Sequence, residues 1–180
     1  EIATVWRFNH AATSTDASFA VVNEGNKTDL TIVEFLNYDC LYCRGTHKTL
    51  MEYAKTHDNV RLVVRPFPNE GGLRYSEKAA AMALAAGLQG KFWDMDNAII
   101  EYGGIPDDKF YRETAGLLDL DYERMVKDSQ DETVQNMLTD NGSAIIRLGI
   151  KTTPAFMIGE TLHQIDKPLT LPLSVSMFCT

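Results

Sequence analysis

One short stretch constrains the fold more than any other: the apolar run Leu30 to Leu36 (LTIVEFL), three polar or aromatic residues, then Cys40-Leu41-Tyr42-Cys43 opening a helical pattern. A β-favouring run bounded by turn residues reads as a central strand covered on both faces. From His47 to Tyr53 the apolar residues Leu50, Met51 and Tyr53 recur at amphipathic spacing, and the helix ends near His57-Asp58-Asn59. Val60 to Phe67 (VRLVVRPF) is the next strand, stopped by Pro66 and Pro68. The cysteine pair therefore stands at a strand-to-helix junction.

On the N-terminal side, Phe19 to Val22 reads as a short or edge strand before the turn signal Asn23-Glu24-Gly25-Asn26. Beyond Tyr75 the pattern becomes helical. Ser76 caps a helix through Ala86, and Lys91 to Tyr102 continues with Phe92, Met95 and Ile99 at helical spacing, Phe92 and Trp93 being core residues of that unit. Pro106-Asp107-Asp108 starts a helix to Leu117, Asp121 opens a short one, and Asp131 begins a long one that stops at Gly149. Thr152-Thr153-Pro154 then leads into a strand Ala155 to Ile158, a Gly159-Glu160 turn and a return strand Thr161 to Ile165. The order is β, β, α, β, a helical block, β, β.

Net charge excludes one large class of partner. The chain carries 17 Lys+Arg against 25 Asp+Glu, a formal −8 without a basic patch, so nucleic acid is not an expected ligand. No stretch approaches the ~18 apolar residues of a bilayer span. The sequence starts at Glu1 without a basic and then apolar leader, which fits either a cytosolic protein or one whose signal peptide has been removed. Three cysteines are too few to staple a small disulfide framework.

At a helix start, unpaired backbone N–H groups and the positive end of the helix dipole stabilise an anion. The thiolate is the attacking species in thiol–disulfide exchange, so this placement makes Cys40 nucleophilic, with Cys43 one turn in as the shielded resolving thiol.

Four patterns, TIVEFLNYDCLYC, KFWDMDNAIIEY, LGIKTTPAFMIG and FAVVNEGNKTDL, together resemble the DsbA-like thiol:disulfide oxidoreductases of the thioredoxin superfamily. The resemblance spans about Phe19 to Ile165 and implies an α/β thioredoxin fold with an inserted helical domain: residues 1–72 and 131–180 forming the core and 73–130 the insertion. It implies Cys40 and Cys43 as the redox disulfide, and Thr153-Pro154 as a cis-proline loop that binds an extended substrate together with Leu41 and Tyr42. Glu34 matches the family's buried acid, and a carboxyl group in a β-core has a raised pKa suited to exchanging the proton of Cys43. The activity implied is oxidation of dithiols in reduced or unfolded exported proteins, in the periplasm. A DsbB-like membrane oxidase is the implied re-oxidant, the protein is a monomer, and no cofactor or metal is needed.

This sequence departs from the best-known oxidants at the dipeptide Leu41-Tyr42, which has no histidine. Asp39 disfavours the thiolate and Arg44 favours it. An oxidant milder than the strongest is expected, between roughly −120 and −230 mV. Other readings remain open. A disulfide isomerase or reductase would share the motif, although no heptad-bearing assembly arm precedes the core. A peptide- or zinc-binding module is the other; Cys40, Cys43 and His47 make a C-x2-C-x3-H run, but His10, His57 and His163 fall at no familiar spacing for a fourth ligand. His47 is expected on the exposed helix face, and Glu34 has Arg61 or Arg65 on the next strand as alternative partners. Cys179 lies in the tail 167–180, where Pro168 and Pro172 weaken the expected closing helix, and reads as a bystander thiol.

Overall fold

The computed structural model describes residues 17–23, 30–68, 75–159 and 161–164. The tail with Cys179, the segment before residue 17, and the turn positions 24–26 and 160 lie outside the described residues. Five strands form one mixed sheet: β1 (Val21–Val22), β2 (Leu30–Leu36), β3 (Val60–Pro66), β4 (Ala155–Ile158) and β5 (Thr161–Gln164), in the order β1-β3-β2-β4-β5. β2 and β3 run parallel, joined through helix α1 (Leu41–Thr56); the other three pairings are antiparallel. The first strand is shorter than the sequence suggests. Ser18–Ala20 forms a 3-10 turn instead, and Phe19 packs its ring against Phe92 at 5.7 Å.

The strand parity that gives each face its residues also decides the site. On β2, Ile32 and Leu36 face the same apolar core as Val60, Leu62 and Val64 of β3, Phe156 and Ile158 of β4, and Cys43, Leu50 and Ala54 of α1. Glu34 shares that parity. Val33, Phe35, Val63, Ala155 and Met157 face the opposite core. Arg61 and Arg65 pair in register with Thr31 and Phe35, so they belong to the face away from Glu34. Neither is its partner; Arg65 is fully buried, donates from Nε to Asn141 Oδ1 at 3.1 Å and pairs with Asp140.

Five further helices fill the interval before β4: α2 (Tyr75–Gly87), α3 (Phe92–Glu101), α4 (Asp108–Leu117), α5 (Tyr122–Gln130) and α6 (Glu132–Leu148). α2 is alanine-rich and buried from Ala79 through Gly87, as expected of a helix packed on all sides. Small side chains let α3, α5 and α6 approach it. The starts of α4, α5 and α6 are capped by Asp107, Asp121 and Asp131, whose carboxylates accept backbone N–H bonds from Phe110, Arg124 and Thr133. Gly149 ends α6 at φ 66°, a left-handed conformation that favours glycine. α6 bridges the two cores. Val134, Met137 and Leu138 in its first half pack with the helical block, and Ala144, Ile145 and Leu148 in its second half cover the far face of the sheet.

Candidate redox site

β2 ends at Leu36, and Asn37, Tyr38 and Asp39 turn the chain into α1. Asn37 fastens this turn by accepting the Asp39 N–H at 3.0 Å on its side chain. Cys40 is the N-cap. Its backbone is extended (φ −85°, ψ 113°), and its sulfur accepts the Cys43 N–H at 3.1 Å where an oxygen of Ser or Asp usually sits. Both thiols are free, Cys40 partly accessible and Cys43 buried. Cys40 Sγ also lies 3.8 Å from the carbonyl oxygen of Thr153, on the loop between α6 and β4, where the Thr153–Pro154 peptide is cis.

These contacts set the order in which the thiols ionise. Hydrogen bonding from the Cys43 side chain pushes Cys40 down to about 6; burial opposes the shift, and Thr153 and the N–H groups of Cys43 and Tyr42 add to it. Cys43 moves the other way, well above the usual thiol range, because it shares that hydrogen bond with Cys40 and is buried. The first negative charge of the pair therefore resides on Cys40. Asp39 and Arg44 both make hydrogen bonds away from the two sulfurs. Asp39 accepts a hydrogen bond from Tyr75 Oη at 2.9 Å, while Arg44 donates to the carbonyls of Tyr38 and Tyr102 at 3.1 and 2.7 Å. Leu41 and Tyr42 are 77% and 44% exposed, an apolar rim beside the accessible sulfur.

Beneath the cysteines lies a buried charge network that the helix pattern did not disclose. His47 is not on the exposed face of α1; it is buried, one turn beyond Cys43, because positions 43, 46, 47, 50, 51 and 54 form the inward stripe of the helix. Its Nδ1 donates to Glu34 Oε2 at 2.7 Å and its Nε2 to Asp96 Oδ2 at 2.9 Å. Burial alone would lower the imidazole's proton affinity, but the Asp96 and Glu34 carboxylates outweigh it and raise it well above the ordinary histidine value. Both ring nitrogens are committed, so His47 is no zinc ligand for the cysteine pair. Tyr38 completes the chain by donating its hydroxyl to Asp96 Oδ1 at 2.7 Å; burial first, then Asp96, pushes that phenol well above its usual range. Glu34 Oε1 has no partner among the described residues. A cleft of about 680 Å³ between α1 and α3 runs past the outer side of this network, between Lys48, Met51, Trp93 and Leu118, and does not reach Cys40.

The geometry of an N-cap thiol, a buried thiol one turn on and a neighbouring X-Pro loop can be compared with known proteins. The family model described as thioredoxin matches residues 24–171. The chain belongs to the thioredoxin family. Among solved thioredoxin-fold structures, a thioredoxin-like oxidoreductase from Silicibacter pomeroyi is 28% identical, with a TM-score of 0.73, over 84% of this chain and 89% of that one. Two others share the fold at 20% identity: the thiol-disulfide exchange protein alpha-DsbA2 of Wolbachia pipientis, TM-score 0.77 over 89% and 85% of the two chains, and the catalytic domain of Proteus mirabilis ScsC, TM-score 0.76 over 91% and 90%. The DsbA-like resemblance and the thioredoxin fold with its added helices hold. A segment of the Na(+)/H(+) antiporter NhaA 1 of Salinispora arenicola is 27% identical over 135 residues, 75% of this chain. The chain spans 21% of that relative's length. Among the described residues no helix is long and apolar enough to cross a membrane.

Proposed function

We propose that this thioredoxin-family oxidoreductase introduces disulfide bonds into exported proteins by exchange at Cys40 and Cys43. The observation that carries the reading is the asymmetry of the pair: an accessible N-cap sulfur with its pKa lowered to about 6, coupled to a buried sulfur whose proton is held tightly. A thiolate stabilised in the reduced protein makes the disulfide the more oxidising form.

In the oxidised enzyme a substrate thiolate attacks Cys40 Sγ. The Cys40–Cys43 bond breaks, and Cys43 leaves with the electron pair and takes up a proton. The proton is the one that the substrate thiol releases on ionising; Ile32, Leu36 and Cys43 line the same core, and Glu34 lies on that face of β2, held through Oε2 by His47, so its Oε1 is the oxygen left to accept that proton and pass it on. A second substrate thiolate then attacks the substrate sulfur of the mixed disulfide. Cys40 departs as a thiolate, the substrate is oxidised by two electrons, and the enzyme is left reduced. Thr153 and Pro154, with the apolar Leu41 and Tyr42, form the surface on which an extended peptide lies. A DsbB-like membrane oxidase restores the disulfide, and the periplasm is the compartment, a placement supported by the fold shared with a periplasmic thioredoxin-like protein of Salmonella enterica, TM-score 0.73.

Equilibration in glutathione buffers of stepped ratio, followed by trapping of free thiols with an alkylating reagent, tests the assignment. A potential between roughly −120 and −230 mV, with oxidation of a reduced model protein that Cys40→Ser abolishes, supports an oxidase. A potential near about −270 mV indicates a reductase.

A further inference from the structure

The hairpin that closes the sheet carries a side chain with a task in the loop beside Cys40. β4 and β5 pair so that Ile158 faces Thr161 and Ala155 faces Gln164. Register thus puts Gln164 opposite the first residue after Pro154, at the end of the ladder nearest the redox loop. From there its Oε1 accepts two consecutive backbone N–H groups, from Lys151 at 2.7 Å and from Thr152 at 3.1 Å. Both donors precede Thr153, whose carbonyl stands 3.8 Å from Cys40 Sγ. Lys151 and Thr152 are themselves exposed, so no packing of their own side chains holds this stretch.

We propose that Gln164 is a positioning residue for substrate binding: it clamps the Lys151–Thr152 backbone and thereby presets the Thr153–Pro154 surface for an extended peptide. The inference rests on the exchange reaction proposed above and adds a residue to its binding side. The chemistry required is an acceptor oxygen at the end of a side chain of this length. Water can satisfy the same two N–H groups, but it cannot hold them to the sheet, and a loop ordered only on binding weakens binding by the cost of ordering it. Because β-side-chain direction alternates, moving the residue by one position would turn the oxygen to the other face and release the loop.

The test compares wild type, Gln164→Ala and Gln164→Glu with a cysteine-containing peptide dithiol as substrate and excess glutathione disulfide as the oxidant that restores the Cys40–Cys43 bond, reading KM and kcat for the peptide separately. Gln164→Ala is expected to raise KM about five- to tenfold, the loss of two modest hydrogen bonds. Gln164→Glu keeps the acceptor oxygen and is expected to restore KM to within about twofold. Amide hydrogen exchange followed by NMR gives the independent reading: in Gln164→Ala, Lys151 and Thr152 exchange faster while the β2 amides keep their protection. An unchanged KM in Gln164→Ala, or no recovery in Gln164→Glu, overturns the role of Gln164. Absence of exchange in the wild-type protein would instead remove the reaction on which the inference rests.

Discussion

His47 on the redox helix and Asp96 on α3 meet through a hydrogen bond of 2.9 Å with both side chains buried. The same imidazole reaches Glu34 on the central strand, so a single ring ties the sheet, the redox helix and the helical block together. A buried ion pair adds little net stability when compared with a well-packed apolar replacement, but removing one member strands the others.

Replacing His47 with Leu leaves the Glu34 and Asp96 carboxylates buried without their shared cation. A loss of about 3–5 kcal/mol at pH 7 is expected in urea unfolding. Asp96→Asn keeps a hydrogen-bonding group and costs less, about 1–3 kcal/mol. The pH dependence has a definite sign. The proton affinity of folded His47 is raised above the ordinary value of about 6.5, so its stabilisation is complete below that pH and is lost as pH rises through the folded value. The gap between wild type and His47→Leu therefore narrows above pH ~6.5; a gap that widens there contradicts the charged assignment.

Thiolate absorbance of the reduced protein should titrate with a midpoint near 6, and Cys40→Ser should abolish that step. Since hydrogen bonding from Cys43 is the largest cause of the shift, Cys43→Ala is expected to move the midpoint up toward the free-thiol value of about 8.5. A midpoint unmoved by Cys43→Ala would assign the effect to the helix terminus.

The same thiolate links redox state to folding. Its pKa is depressed in the folded state, so its contribution is complete above about pH 8.5 and is lost as pH falls through about 6. Thermal unfolding of the reduced protein, compared with reduced Cys40→Ala across that interval, should show the wild-type advantage shrinking toward the acid end.

Gly87 closes α2 against Phe19, where an added Cβ would come within 2.2 Å of the ring. Gly87→Ala must displace Phe19 from its place beside Phe92. A cost of about 1–3 kcal/mol is expected, and the extra substitution Phe19→Leu should recover part of it.

Most strands and helices of this chain were readable from the apolar period, the exception being Phe19–Val22, of which only Val21–Val22 is strand. Ala155–Ile158, the capping aspartates Asp107, Asp121 and Asp131, and the stop at Gly149 all fall where turn chemistry and periodicity predict. Cys40 and Cys43 were legible for the same reason, a strand before them and a helix after. Of the network beneath, only the buried Glu34 was; a histidine on an amphipathic helix reads as solvent-facing, and His47 is not. Yet His47 lies between Cys43 and Leu50 on one inward stripe, and Asp96 lies among Phe92, Met95 and Ile99 on another. Opposite charges, each centred in an apolar stripe, were the available signal. That they face each other depends on how α3 packs against α1, which no local pattern encodes.

Asp131 ends α5 and caps α6 with no residue between them to act as a joint. α5 packs on the alanine helix, and α6 passes from that packing to the far face of the sheet before reaching the loop beside Cys40. The direction in which α6 sets out toward the Thr153 loop is therefore fixed at one residue, whose extended backbone ends one helix while its carboxylate starts the next.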